Sequence, residues 1–244
     1  MACVEKDMNV CLRHTIVLLA VVFAAVCSAQ TRKVQNKPYI DNRTFHYGFL
    51  CALHIQTVGL ETNGYIDPET GEQWSGVGDR TNLGFSVGVV GEWRLNKYFA
   101  LRTTPTIHFG QRHVTFREQT SQRTYSESMK TAVISVPVDV KFSALRFNNH
   151  RPYLLAGINP SYDMTGHKQD AVLTKPLVVY GEVGMGCDFY MPFFKFIPEI
   201  KFCFGLNNLL DRNRSALIDK TKEIYTQSLG AVKSNMVMLT FYFE

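Results

Sequence analysis

The chain has 244 residues, 45% hydrophobic, 12% aromatic and 19% charged, with a net charge of +5. That length makes one large domain or two small ones. The positive excess is mild and contains no Lys/Arg run, so it gives no basis for a nucleic-acid partner.

Thr15 to Val26 is an uninterrupted apolar run, preceded by Arg13 and followed by Cys-Ser-Ala-Gln. It falls short of the roughly twenty residues of a membrane helix and reads as a secretory signal, cut between Ala29 and Gln30. Cys27 admits a lipoprotein reading, but Val26 is a poor residue to stand before a lipidated cysteine. Met8 offers an alternative start. The expected organisation is a signal peptide over 1–29, a periplasmic N-terminal segment over 30–44 and a β-barrel over 45–244. The mature cysteines, Cys51, Cys187 and Cys203, are odd in number and widely spaced, so neither a disulfide framework nor a zinc pattern follows.

Gln30 to Thr44 is polar and basic, and predicts an extended lead-in that is either loose or a partner-binding segment. Phe45 to Val58 then alternates. Phe45, Tyr47, Phe49, Cys51, Leu53 and Ile55 take one face; His46, Gly48, Leu50, Ala52, His54 and Gln56 take the other. A strand sends successive side chains to opposite faces, and this one is long enough to cross a bilayer at a tilt. Gly59 to Arg80 reads as a loop. A second strand covers Thr81 to Arg94, with Leu83, Phe85, Val87, Val89 and Trp93 opposite Ser86, Glu92 and small residues. After a short turn the third runs from Tyr98 to Gln111, with Arg102 and His108 on its polar side. Arg112 to Lys130 reads as a long polar connection. The fourth strand is Thr131 to Phe142, opposing Ser135, Asp139 and Lys141 to an apolar face. A moderate turn leads to the fifth, Pro152 to Asp163. The sixth and seventh, Leu177 to Tyr190 and Phe194 to Leu206, flank a tight Met-Pro-Phe turn, and Ser234 to Phe243 is the eighth.

The prediction is an all-β fold: an eight-stranded antiparallel up-and-down transmembrane β-barrel with short periplasmic turns and long extracellular loops. Connection lengths alternate so that every long one falls on the same side, the habit of outer-membrane barrels. Both ends are then expected in the periplasm.

Alternation alone leaves open a secreted ligand-binding barrel with its oily face inside. Three features decide for lipid outside. Glycines gather on the polar face, where they relieve crowding in a narrow lumen. The short-turn ends collect Phe45, Tyr47, Trp93, Phe99, Phe142, Phe189, Phe194, Phe196, Phe241 and Phe243 on the apolar face, as an aromatic girdle does. The sequence also ends on a strand, almost at Phe243.

The lumen then holds Arg102, Asp139, Lys141, Glu182, Asp188, Lys195, Glu199 and Lys201. Packing the sixth and seventh strands as a hairpin sets Glu182 near Lys201 and Asp188 near Lys195. A plugged lumen is expected, because an eight-stranded barrel has room only for its own side chains. A passive pore would instead conduct in planar bilayers.

Lipid hydrolysis would need a nucleophile beside a histidine. His46, His54 and His108 point inward, and His113 and His167 lie beyond the strands, but no serine shares a local motif with them. His54 and His108 are close enough in level to share a metal, yet no ligand spacing supports one. No catalytic residue, cofactor, metal or small-molecule substrate is expected. In the last loop, Leu217, Ile218, Ile224, Tyr225 and Leu229 follow Ser215 at helical spacing, predicting a short amphipathic helix that lids the barrel or docks a partner.

Several fragments resemble the PorT family, outer-membrane barrels of the Bacteroidota type IX secretion machinery. They are Gln35-Asn36, Asp41 and Arg43 leading into His46-Tyr47-Gly48-Phe49; Val136-Pro137 to Lys141; and Arg151-Pro152-Tyr153. The strongest are Pro198-Glu199-Ile200-Lys201 through Gly205 to Leu210, and Ser234-Asn235-Met236 through Thr240 to Glu244. The resemblance implies a part in exporting cargo proteins, among them proteases and adhesins, through contacts with other secretion components. It makes Gln35, Asn36, Asp41 and Arg43 a candidate partner segment. The competing expectation is a stand-alone structural or adhesion barrel whose outer loops bind ligands.

Overall fold

A computed structural model describes residues 34–68, 71–77, 82–119, 121, 123–165, 172–211 and 223–244. The signal region, His167, Ser215, Leu217 and Ile218 lie outside the described residues. The chain divides into two units, Met1–Val34 and Gln35–Glu244, and every described element lies in the second.

A short 3-10 turn, Ile40–Asn42, precedes eleven strand segments: β1 (Phe45–Thr62), β2 (Trp74–Val77), β3 (Asn82–Arg94), β4 (Phe99–Thr103), β5 (Thr106–Glu118), β6 (Thr124–Ser135), β7 (Val138–Ser143), β8 (His150–Asp163), β9 (Leu177–Tyr190), β10 (Lys195–Gly205) and β11 (Leu229–Phe243). Among the described residues one α-helix, α1 (Glu223–Gln227), precedes the last strand. All pairings are antiparallel, and β11 returns to pair with β1, closing a ring.

Eight strands form that ring. β4 and β5 are one wall strand interrupted at Pro105, and β6 and β7 are another interrupted at Pro137. Proline has no N–H to give to a ladder, so each interruption falls where the chemistry demands it. β2 extends the wall at the loop end, pairing with Thr115 to Glu118 of β5 along the edge that β3 takes lower down. Three short turns gather at one end, here the turn end. The β3–β4 turn is held by Asn96, whose Oδ1 accepts from the amides of Tyr98 and Phe99 at 2.8 Å each. The β7–β8 turn passes through Asn148 at φ 51°, a left-handed conformation that asparagine tolerates.

The outer face of the wall is apolar around its whole circumference. On β1 the exposed run from Phe45 to Ile55 spans about 25 Å at ordinary barrel tilt, the height of a hydrocarbon band. Leu83, Phe85, Ile158, Met185, Ile200 and Leu239 continue it on other strands, all exposed. Water does not tolerate a belt of that extent on a solitary soluble protein.

Past the belt, at the loop end, the pattern inverts. Three stretches read as loops are in part strand: β1 continues to Thr62, β5 and β6 pair out to Arg117↔Thr124, and β11 begins at Leu229, a residue expected on the loop helix. Here the outward residues are polar (Thr57, Thr115, Arg117, Ser126), while Val58, Val114, Phe116, Met129, Leu229 and Val232 fill the inside. The interior is therefore polar at belt level and apolar above it. α1 packs on this upper core through Ile224 and Tyr225, with the Tyr225 ring 4.6 Å from Tyr125, 4.9 Å from Phe116 and 5.0 Å from Trp74. That contact is a lid.

Candidate functional site

At belt level the inward positions of all eight wall strands carry ionisable groups, tyrosines included, and these join into one network. Arg102 is fully enclosed. Its guanidinium donates to Glu92 at 2.6 and 3.0 Å and to Glu199 at 2.8 Å, and lies 5.0 Å from the ring centres of Tyr153 and Tyr242. Lys141 Nζ sits between Glu92 (3.2 Å) and Asp188 (3.0 Å). Lys195 joins Asp188 (3.3 Å) to Glu244 (2.8 Å), which also faces His46 at 3.8 Å. Lys201 reaches Asp139 at 3.1 Å, Glu182 at 3.2 Å and Glu199 at 3.7 Å. Both hairpin pairs, Glu182 with Lys201 and Asp188 with Lys195, are therefore in contact. All eight residues named from the sequence for the lumen lie inside, each no more than 3% exposed.

Four members escaped the sequence reading. Glu92 bridges Arg102 and Lys141, and Glu244 caps Lys195. Tyr153 and Tyr242 donate their hydroxyls to Glu199 at 2.6 and 2.7 Å. Their place on inward-facing positions was the available signal.

Above the network the histidines pair with serines. His54 Nδ1 lies 2.8 Å from Ser86 Oγ, Ser86 Oγ lies 2.7 Å from His108 Nδ1, and His108 Nε2 lies 2.7 Å from Ser135 Oγ. These serines come from β3 and β6, so no local motif announces them. The spacing suits proton transfer, but the chain is sealed. The adjoining void, bordered by His108, Ser135, Glu182 and Thr240, has about 10 Å3, the room of a single water. Among the described residues no group of three or more His, Cys, Asp or Glu is arranged to hold a metal ion. Higher still, Gln56 donates to Ser234 (2.9 Å), and Arg112 pairs with Asp163 (3.3 Å).

The turn end is crossed by the lead-in segment. Asn36 donates to the Tyr190 carbonyl at 2.9 Å, and its own amide donates to Asn149 Oδ1 at 2.9 Å. Asp41 accepts from the Tyr190 hydroxyl at 2.6 Å and lies 3.6 Å from both Arg146 and Arg151. Arg146 also stacks on Tyr190, 3.6 Å from its ring centre. Of the four residues offered as a partner segment, Asn36 and Asp41 are thus engaged by the barrel itself, while Gln35 and Arg43 stay exposed. Replacing Asp41 with alanine is expected to release this strap. Loss of the shared contact, worth about 1–2 kcal/mol, should speed tryptic cleavage after Arg43 roughly tenfold. An unchanged digestion rate would show that the strap is anchored elsewhere.

The aromatic residues of the girdle all project outward on the turn-end half of the wall. Phe45 stacks on Trp93 (5.9 Å) and Phe196 on Phe241 (5.8 Å), and Phe99 meets Phe142 at a tilt (5.1 Å). Phe194 lies 6.2 Å from Phe243; Tyr47 and Phe189 complete the set.

A family model described as "Outer membrane protein beta-barrel domain" matches residues 28–211. The chain belongs to that family. The outer-membrane barrel family accounts for the belt, the closed ring and the inward charges together, and places the protein in the outer membrane. No curated protein matches the chain. Among solved structures, the Neisserial surface protein A resembles it at 10% identity with a TM-score of 0.41, over 82% of this chain and 98% of that one. The outer membrane protein OprG of Pseudomonas aeruginosa gives 10% identity and 0.37, over 80% and 94%. Ail, the attachment invasion locus protein of Yersinia pestis, gives 14% and 0.33, over 82% and 99%.

Proposed function

We propose that this outer-membrane barrel is a sealed component of type IX protein secretion, acting through protein contacts and not by catalysis or conduction. The supporting observation is that the fragments resembling the PorT family meet in space. Asp41 engages Arg151, Tyr153 donates to Glu199, and Glu199 faces Lys201. Lys141 joins the same network through Glu92. The short turns and the strap are read as periplasmic and the long connections as extracellular, the arrangement bacterial barrels adopt. Buried side chains, Arg102, Lys141, Glu199 and Lys201 among them, fill the lumen at belt level, so partners would act on the exposed surfaces of Gln35, Arg43 and the outer connections.

Deleting the gene should hold cargo proteases and adhesins inside the cell. Normal cargo secretion in the deletion strain would overturn the role. The second reading, a stand-alone adhesion barrel, draws on the β5–β6 hairpin, which stands clear of the belt with polar residues outward. Exchanging that hairpin tip for a short turn separates the two: adhesion falls while secretion continues.

A further inference from the structure

On the outer wall near the turn end, Tyr47, Gly91 and Thr103 lie side by side on β1, β3 and β4. Gly91 has no side chain there, and a Cβ built on it would find nothing nearer than Thr103 Cγ2 at 3.7 Å. The gap opens a groove of about 630 Å3, walled by Phe45, Tyr47, Trp93, Leu101 and Val138. It is apolar, opens outward and lies level with the girdle.

Positive charge crowds its turn-end mouth. Arg94 follows Trp93 directly, its amide bonded to the Thr44 carbonyl at 2.8 Å, which brings the Arg43 end of the strap alongside. Lys97 sits in the same β3–β4 turn. Arg43 and Lys97 are exposed, and Arg94 is half-buried. Asp41 is the one acidic side chain among the described residues of the strap and that turn, and it is already held by Arg146 and Arg151. Glu92 borders the groove, but its carboxylate faces inward to Arg102 and Lys141. A second apolar groove, along Pro152, Cys187 and Pro198, also has about 630 Å3, yet the arginines near it are those two already paired with Asp41.

An oily slot in continuity with a lipid-facing girdle, topped by unneutralised cations, matches an acyl chain below an anionic headgroup. We propose that the Gly91 groove with Arg43, Arg94 and Lys97 is a binding site for an anionic phospholipid.

Trp93, on the groove wall, reports on it, while Trp74 is buried at the loop end and supplies a constant background. The full chain is reconstituted in bilayers mixing phosphatidylcholine and phosphatidylglycerol, with bromine on the acyl chains of one or the other, and Trp93 quenching is compared. Brominated phosphatidylglycerol should quench with a relative association constant about fivefold or more above phosphatidylcholine, since each exposed cation contributes roughly that factor. The double variant Arg43→Gln, Lys97→Gln should bring the ratio close to one. Gly91→Leu, which fills the groove and leaves the charges, should also lower it. Equal quenching by the two lipids in the native chain overturns the site, as does a preference that survives the charge variant. A preference untouched by Gly91→Leu overturns the groove's part in it.

Discussion

Replacing Arg102 with methionine is expected to destabilise the folded barrel by about 3–5 kcal/mol, the loss typical when one partner of a buried ion pair is removed. The side chain has no exposure and donates to two carboxylates and the Tyr153 hydroxyl. Without it Glu92 keeps Lys141 at 3.2 Å, and Glu199 keeps two tyrosine hydroxyls and Lys201 at 3.7 Å. Both carboxylates then stay buried with one cation fewer to neutralise them. The measurement is the urea midpoint of the reconstituted barrel, read by tryptophan emission. Arg102→Lys should lose less, because it retains the charge but not the fork that reaches both acids. Adding Glu199→Gln to Arg102→Met should cost less than the two changes summed. A midpoint near that of the native chain would show that the network contributes little.

Gly157→Ala should cost about 2–3 kcal/mol by overpacking. A Cβ at this position would stand 2.2 Å from Asp139 Oδ1, 2.3 Å from the Val138 carbonyl oxygen and 2.7 Å from Asp139 Cα. Two of those atoms are backbone, so a rotamer change cannot relieve the contact. β7 and β8 must separate, and Asp139 must leave Lys201, now 3.1 Å away. Gly91→Ala is the matched control, with 3.7 Å of clearance, and should shift the same midpoint by less than about 0.5 kcal/mol. Similar losses in both would trace the effect to glycine's backbone freedom, not to space.

The wall was legible because a period of two survives whichever face meets oil. Leu177 to Tyr190, read as the sixth strand, is the whole of β9. What escaped lies where polarity and period part company. Thr115, Arg117, Ser126 and Ser128 look like loop residues, yet they are the watered face of strands whose other face is Val114, Phe116 and Met129. The hairpin of β9 and β10 gave its own ion pairs because neighbours in sequence are neighbours in space. Glu92 needed the register of β3 against β4 and its reach to Lys141 on β7, which no single hairpin specifies. Ser86 and Ser135 lie on the wall strands to either side of His108, 22 and 27 residues away in sequence, so no local motif ties them to it.

The seam between β1 and β11 runs unbroken from Phe49↔Phe243 to Gly59↔Lys233. It joins the earliest wall strand to the latest. Until residue 243 has been delivered, β1 therefore offers a bare row of amides and carbonyls to any neighbour. Such distant pairing is slow to form. A nascent copy must be chaperoned or held open at this joint until its own tail arrives, and a chain cut short before β11 is an invitation to pair with strangers.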